Sequence, residues 1–107
     1  MTLDQLIKWL EAQDQAIVCR VGFENPHSYR GYYEDVAFEP KENVTVAGML
    51  ESARSAIGQT FGGWKGGEYE CGGSERVWLA WRGCTGESIG PALLSYMVGQ
   101  PRLPEEP

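Results

Sequence analysis

The segment NVTVAGMLESARSAIG, residues 43–58, carries the clearest helical pattern in the chain. Asn43 or Thr45 can cap the start of a helix here, and Gly58 suits the left-handed conformation that commonly ends one. The apolar side chains between them recur at helical spacing, so that they share one face: Val46, Met49, Leu50, Ala53 and Ile57. This pattern predicts a helix that packs on the core of the protein.

The residues before this helix predict a β-hairpin. The segment AIVCRVGF, residues 16–23, alternates in a way that gives a strand one buried side. Turn-forming residues follow in ENPHS, residues 24–28, and a second strand is expected over about Tyr29 to Phe38. Ahead of the hairpin, Thr2 and Gln5 have capping-box spacing, which predicts a first helix at the start of the chain.

The residues after the helix predict two more strands and a last helix. Three Gly-Gly pairs separate short strands expected at Glu68–Cys71 and Arg76–Arg82. A final helix is expected from about Pro91 to Val98, with Gly99 ending it. The resulting order, α-β-β-α-β-β-α, predicts an α+β fold in which helices pack on a mostly antiparallel sheet.

Length and charge narrow the possible functions. With 107 residues, the chain is expected to form one domain over residues 1–99, followed by a short Pro- and Glu-rich tail at residues 100–107. Nine Lys and Arg against fifteen Asp and Glu give a net charge of −6, which disfavours duplex nucleic acid and anionic membranes as partners. The longest apolar runs are far shorter than the ~20 residues that cross a bilayer.

The potential catalytic and metal-binding residues do not form a recognisable set. Three scattered cysteines and a single histidine, His27, lack the spacing of a zinc site, so no metal and no cofactor is expected. The cysteines are expected to be buried small hydrophobes in a reduced, cytoplasmic protein. Lys65 lacks the spacing of a phosphate-binding loop, and Glu34 and Asp35 are expected to be solvated charges at a sheet edge. We therefore expect a binding protein and no enzyme.

Strand alternation in RVWLAWRG, residues 76–83, separates a core side from a binding side. Val77, Leu79 and Trp81 are expected to face the core. Arg76, Trp78, Ala80 and Arg82 are expected to share the other side, which combines an indole with two guanidinium groups. An indole beside arginines can stack on a nucleobase and hydrogen-bond phosphate oxygens. The alternative is that this side is an ordinary solvent or dimer surface.

The segment NPHSYRGYYEDVAFEP, residues 25–40, offers a second set of ligand-binding groups. In the expected strand, Arg30, Tyr32 and Glu34 share one face, which places a donor, an aromatic ring and an acceptor together. A nucleotide needs these three groups for its phosphate, base and ribose. In the alternative reading, Tyr32 packs on neighbouring residues across the strand pair.

Three segments in this order resemble a known family: NPHSYRGYYEDVAFEP, AIGQTFGGWKGGEY and VWLAWRGCTGESIGPALL, residues 25–40, 56–69 and 77–94. They are similar to the small phage-encoded anti-defence proteins that act on Thoeris immunity, the first of the named Thoeris anti-defence families. The resemblance implies a protein of the host bacterial cytoplasm that sequesters cyclic ADP-ribose signals without cleaving them. It also implies separate sites for cyclic oligonucleotides in some members, and assembly as dimers or trimers of dimers.

The resemblance also implies roles for individual residues. Arg30 would lie beside a phosphate, with Ser28 and Tyr29 shaping the loop, and Trp78 would stack on adenine. Arg102, near the C-terminus, could reach the pyrophosphate, in its own subunit's site or in the other subunit's. The resemblance further implies that the ligand-binding sites lie at subunit interfaces.

Two other functions remain open at this stage. An inhibitor that blocks a host protein by direct contact could use Tyr33, Trp64 and Trp78 as interface anchors, and acidity is typical of proteins that occupy a nucleic-acid-binding surface. The third possibility is an enzyme that acts on a cyclic nucleotide, which would convert the ligand over time.

Overall fold

A computed structural model describes residues 1–32, 34–63 and 65–99 of the chain. Three helices and six strands lie within these ranges. In chain order they are α1 (Leu3–Glu11), β1 (Val18–Ser28), β2 (Asp35–Thr45), α2 (Val46–Ala56), β3 (Thr60–Gly62), β4 (Glu68–Glu70), β5 (Arg76–Leu79), β6 (Glu87–Ser88) and α3 (Pro91–Gly99).

The strands form a four-stranded sheet and a separate hairpin. The order in the main sheet is β1-β2-β5-β6, and β3 pairs with β4 alone. β1 and β2 are antiparallel, as are β5 and β6, whereas β2 and β5 run parallel. The predicted α+β fold with a mostly antiparallel sheet is therefore confirmed. β3 and β6 were not predicted, because β6 has only two residues and β3 runs into the first Gly-Gly pair, which was expected to separate strands.

Local capping signals set the helix starts as the sequence indicates. The Thr2 hydroxyl accepts a hydrogen bond from the Gln5 backbone N–H, and the Gln5 side-chain carbonyl oxygen accepts one from the Thr2 backbone N–H, which completes the capping box. At α2 the cap is Thr45, whose Oγ1 accepts from the Gly48 N–H at 2.9 Å. Gly58 has the expected left-handed φ of +83° after the helix. The ends of both helices are thus fixed locally.

The core lies where α1, α2 and α3 cover the sheet. α2 packs on β1 and α1, and α3 packs on β1. The largest fully buried side chains include Phe23, Phe38, Leu3, Leu6, Leu10, Met49, Ile89 and Leu94. The rings of Phe23 and Phe38 contact each other across β1 and β2 with their centroids 4.8 Å apart. None of the described helices is long and apolar enough to span a bilayer.

The hairpin differs from its prediction because β1 continues through the expected turn. ENPHS lies in β1, and the chain instead reverses between Ser28, where β1 ends, and Asp35, where β2 begins. Asn25 takes a left-handed φ of 51° at an irregularity in the β1–β2 register. Pro26 is tolerated because β1 is an edge strand, whose outer side needs no N–H from a proline. Turn-forming residues here create a bulge and not a reversal.

β5 is shorter than predicted, and this changes two side chains. The strand ends at Leu79, and a turn closed by the Cys84 N–H to the Trp81 carbonyl oxygen follows. Strand alternation consequently does not extend to Trp81 or Arg82. Trp81, expected in the core, is 58% exposed, so that prediction was wrong.

Candidate functional site

The loop after β1 presents Arg30 at its tip. The Ser28 hydroxyl accepts from the Gly31 N–H at 3.0 Å and donates to the Gly62 carbonyl oxygen at 3.2 Å. Arg30 and Gly31 both have left-handed backbones, with φ of 53° and 78°. Arg30 is exposed, and Ser28 holds the turn that carries it. The expected strand face shared by Arg30, Tyr32 and Glu34 does not exist, because these residues lie in this loop.

Three aromatic rings form a layered cluster, called here the aromatic stack: Tyr29, Tyr32 and Trp78. The rings of Tyr29 and Trp78 are parallel within 3° with their centroids 4.5 Å apart. Tyr32 meets Tyr29 edge-on at 5.7 Å. Tyr29 is only 5% exposed and its hydroxyl accepts from the Gly86 N–H at 3.3 Å, whereas Tyr32 is 42% exposed. A base could therefore reach Tyr32 or the half-buried Trp78, but not Tyr29.

A buried carboxylate connects this stack to an arginine. Asp35 Oδ1 accepts hydrogen bonds from Trp78 Nε1 at 2.9 Å and from Arg76 Nε at 3.1 Å. The Asp35 side chain is 6% exposed and that of Arg76 is 63% exposed. Asp35 was predicted to be a solvated edge charge, and this was wrong. It lies directly opposite Arg76 in the parallel β2–β5 pairing, which sequence alternation does not reveal.

Tyr69 supports Asp35 from the separate β3–β4 hairpin. Its hydroxyl donates to the Asp35 backbone carbonyl oxygen at 2.6 Å. Burial, as the largest cause, raises the pKa of Tyr69 to about 12, so the phenol stays protonated and acts as a donor at neutral pH. The hairpin is thus joined to the start of β2, where the arginine and the indole are held.

A cavity of about 400 Å³ opens beside Arg76. It is lined by Glu34, Ser74, Glu75 and Arg76, of which only Glu75 is buried. The backbone N–H of Arg76 donates to the backbone carbonyl oxygen of Glu34 at 2.9 Å, which holds the end of the loop against β5. The volume of the cavity is within the range of small-molecule sites. This cavity and the aromatic stack together constitute the candidate site.

The Glu75 carboxylate beside this cavity is already engaged by backbone donors. Its two oxygens accept from the Gly73 N–H at 2.8 Å and the Gly72 N–H at 3.2 Å, and the Cys71 thiol donates at 3.3 Å. Burial acts to raise the pKa of Glu75, but these backbone hydrogen bonds outweigh it and hold the pKa below its usual value. Burial, together with the carboxylate, raises the pKa of Cys71 to about 12. Neither group is prepared for acid–base or nucleophilic chemistry at neutral pH.

The lowered pKa of Glu75 predicts a loss of stability in acid. A group with a depressed folded-state pKa stabilises the protein above its unfolded pKa, about 4.3 for Glu, and the contribution is lost as the pH falls through the folded value. At pH 7, Glu75→Gln should unfold at a lower urea concentration than the parent, and its free energy of unfolding should be smaller by about 1 to 3 kcal/mol. The difference should shrink by pH 3. Glu70→Gln, at an exposed position, is the control; an equal Glu75→Gln deficit at both pH values would contradict this assignment.

His27 and two of the three cysteines have the buried surroundings typical of structural residues. His27 is 2% exposed, and its two ring nitrogens contact the carbonyl oxygens of Ser28 and Ala80, each at 3.0 Å. Cys19 and Cys71 are buried as predicted, whereas Cys84 is exposed, so the prediction of buried cysteines was wrong for Cys84, which lies in the turn after β5. No group of three or more His, Cys, Asp or Glu that could hold a metal occurs among residues 1–32, 34–63 and 65–99.

A second surface, called here the apolar patch, consists of Val21, Pro40, Trp81 and Tyr96. Val21, Trp81 and Tyr96 are 44%, 58% and 64% exposed. Val21 lines both a cavity of about 620 Å³ with Pro40 and Trp81 and one of about 200 Å³ with Tyr96. This patch was not found in the sequence because strand alternation was extended to Trp81, whereas β5 ends at Leu79.

The structure brings together some of the predicted site residues. The loop after β1 carries Arg30 and is held by Ser28. The aromatic stack contains Tyr29, Tyr32 and Trp78. Arg82 is exposed in the turn after β5, and no contact places it at the stack. Arg102, Tyr33 and Trp64 lie outside the described residues. The contacts of Asp35 with Arg76 and Trp78 were not predicted, and Arg76 was noted only as a neighbour of Trp78.

Comparison with known proteins gives no further assignment. The chain matches no protein-family model, no curated protein and no solved structure.

Proposed function

We propose that this protein binds and sequesters a cyclic nucleotide signal, such as a cyclic ADP-ribose isomer, and leaves it intact. The observation that supports this most directly is the aromatic stack with Arg30 exposed on its loop and Arg76 held beside Trp78 by Asp35. Rings supply stacking for a base, and guanidinium groups supply charge-assisted hydrogen bonds to phosphates. Cyclic oligonucleotides share these groups and are also candidate ligands.

The chemistry of the cavity favours sequestration over cleavage. Cyclic nucleotide hydrolysis needs an acid, a base or a nucleophile near the bond that breaks. The Glu75 carboxylate is occupied by three donors, and the Cys71 thiol is protonated at neutral pH. Glu34, the remaining carboxylate of the lining, is exposed to solvent, and the other described lining residues include no histidine and no second free carboxylate to work with it, so we propose binding without turnover.

Oligomerisation would complete an open site. A sequestering protein must compete with a receptor at nanomolar affinity, about 12 kcal/mol of binding free energy. Stacking contributes about 1 to 3 kcal/mol per base, so several enclosed contacts are needed in addition. We propose that a second subunit, in a homodimer or a trimer of dimers, covers the site and excludes water. A monomeric variant that retains full affinity would refute this link.

Calorimetry followed by recovery of the ligand tests the proposal. The purified protein is titrated with cyclic ADP-ribose isomers and with cyclic di- and trinucleotides, and the complex is then heated and the released nucleotide chromatographed. Tight binding and unchanged ligand support sequestration. Conversion that increases with incubation time would replace it with an enzymatic function, and no heat with any nucleotide would reject it.

Removing the guanidinium of Arg30 should weaken this binding selectively. Arg30→Gly suits the left-handed backbone at this position, so the loop should keep its shape while the charged contact is lost. We expect binding to weaken roughly 10- to 100-fold, as for a lost charged hydrogen bond. Arg54→Ala, an exposed arginine paired with Glu11 on the helices, is the matched control and should bind normally. Unchanged affinity in Arg30→Gly would place the ligand elsewhere.

The apolar patch supports a second candidate function, the inhibition of a host protein by direct contact. Exposed aromatic side chains are frequent anchors of protein interfaces, and Trp81 and Tyr96 are both more than half exposed. Trp81→Ser should then release a captured protein while nucleotide binding persists. If nucleotide binding is absent and this variant loses its protein partner, the second function replaces the first.

A further inference from the structure

We infer that the cavity beside Arg76 is a ribose-phosphate subsite, in which Arg76 contacts a phosphate and Glu34 contacts ribose hydroxyls. The class of ligand rests on the proposed function, but the assignment of these two residues comes from the geometry of the cavity. Asp35 is a positioning residue in this subsite, because it touches Arg76 and Trp78 and is too buried to reach the ligand.

Arg76 is prepared for an oxyanion by the way Asp35 holds it. The hydrogen bond from Nε to Asp35 fixes the plane of the guanidinium, and the side chain remains 63% exposed. Among the described residues, the two terminal amino groups make no hydrogen bond or ion pair. They are the paired donors that arginine uses to contact two phosphate oxygens at once. The guanidinium is thus oriented before the ligand arrives, which reduces the entropy lost on binding.

Glu34 provides a hydrogen-bond acceptor for the ligand, which Glu75, the other carboxylate lining the cavity, cannot provide. The Glu75 oxygens are engaged by Gly72, Gly73 and Cys71, whereas the Glu34 carboxylate is exposed and has no partner in the described part of the chain. A carboxylate that accepts from ribose hydroxyls is a common feature of nucleotide sites. Ser74, at the same cavity, can donate or accept.

The charge of the lining decides between a free phosphate and a nucleotide. Two carboxylates face one guanidinium here, so a small polyanion gains little from the cavity as a whole. A ligand that brings hydroxyl donors along with its phosphate satisfies Glu34 as well as Arg76. Since Asp35 binds both Arg76 and Trp78, the phosphate contact and the stacking ring lie side by side. The donor, aromatic ring and acceptor of a nucleotide site are therefore Arg76, Trp78 and Glu34.

Titration with adenosine 5′-monophosphate (AMP) and two truncated analogues tests each contact separately. Adenosine lacks the phosphate, and 2′,3′-dideoxy-AMP lacks the hydroxyls. Arg76→Gln should bind AMP roughly 10- to 100-fold more weakly and leave adenosine binding unchanged. Glu34→Gln should weaken AMP binding and leave dideoxy-AMP binding unchanged. Arg54→Gln is the control and should bind all three as the parent does. Circular dichroism and urea midpoints establish that each variant is folded, and Arg76→Lys provides a second variant that keeps the charge but not the paired donors.

The outcomes separate this inference from the proposed function. Equal losses of AMP and adenosine in Arg76→Gln, or no saturable AMP binding by the parent at millimolar concentrations, would overturn the subsite. Cyclic nucleotides that bind Arg76→Gln as tightly as the parent would overturn it too, while the proposed function stands. If AMP binding shows the expected pattern and no cyclic nucleotide binds, the subsite stands and the proposed function fails.

Discussion

Tyr29→Ala should lower the free energy of unfolding by about 3 to 5 kcal/mol, as truncation of a buried aromatic residue does. Tyr29 is 5% exposed and lies between Trp78, parallel at 4.5 Å, and Tyr32. Its removal leaves a cavity and exposes a face of the Trp78 indole. Urea unfolding followed by far-ultraviolet circular dichroism measures the loss.

Tyr29→Phe is the matched control, because it keeps the ring and removes only the hydroxyl that accepts from the Gly86 N–H. We expect this variant to lose about 1 kcal/mol. The near-ultraviolet signal of the stacked rings should persist in Tyr29→Phe and decrease in Tyr29→Ala. A Tyr29→Ala variant within 1 kcal/mol of Tyr29→Phe would show that the ring contributes little to the stability of the fold.

Gly86→Ala should cost about 3 kcal/mol or more, since a methyl group here meets backbone that cannot move aside. A Cβ at residue 86 would collide with the Leu79 carbonyl oxygen and lie 2.6 Å from the Ala80 Cβ. Relieving the clash would separate residue 86 from the end of β5, and would also displace the N–H that contacts Tyr29. The loss should therefore appear in the urea midpoint and in the near-ultraviolet signal of the aromatic stack.

Gly62→Ala is the comparison for this substitution. Its Cβ would meet nothing within 4 Å, and its backbone needs no left-handed conformation. It should fold as stably as the parent or slightly better, because alanine loses less backbone entropy on folding than glycine. Equal stabilities of Gly86→Ala and Gly62→Ala would mean that the chain near Leu79 can move without cost.

The helices could be predicted because their signals are local. Thr2 with Gln5 and Thr45 with Gly48 satisfy backbone groups within four residues, so the sequence contains the whole determinant. The prediction of the hairpin turn was wrong because the signal there is not local. The conformation of Asn25 depends on its pairing with β2, and turn-forming residues cannot indicate whether they reverse the chain or bulge from it.

The candidate site was predicted in composition but not in arrangement. Aromatic rings and arginines were expected together, and Trp78 is indeed stacked, but on Tyr29 within the protein. Strand alternation predicts which residues of one strand share a face. Asp35 instead contacts Arg76 and Trp78 on another strand, which are 41 and 43 positions later in the sequence. Such pairings arise from the parallel β2–β5 register, and a periodic pattern contains no information about which strands are neighbours.

The parallel pairing of β2 with β5 also determines when these groups come together during synthesis. α1, β1 and β2 leave the ribosome first, and α2, β3 and β4 must all follow before β5 can pair with β2. Until then the inner edge of β2 is open, and such edges recruit other chains. Contacts between residues this far apart in sequence form slowly. Asp35 therefore cannot meet its two partners until β5 has been synthesised, and until then the open edge of β2 is a place where another chain can pair.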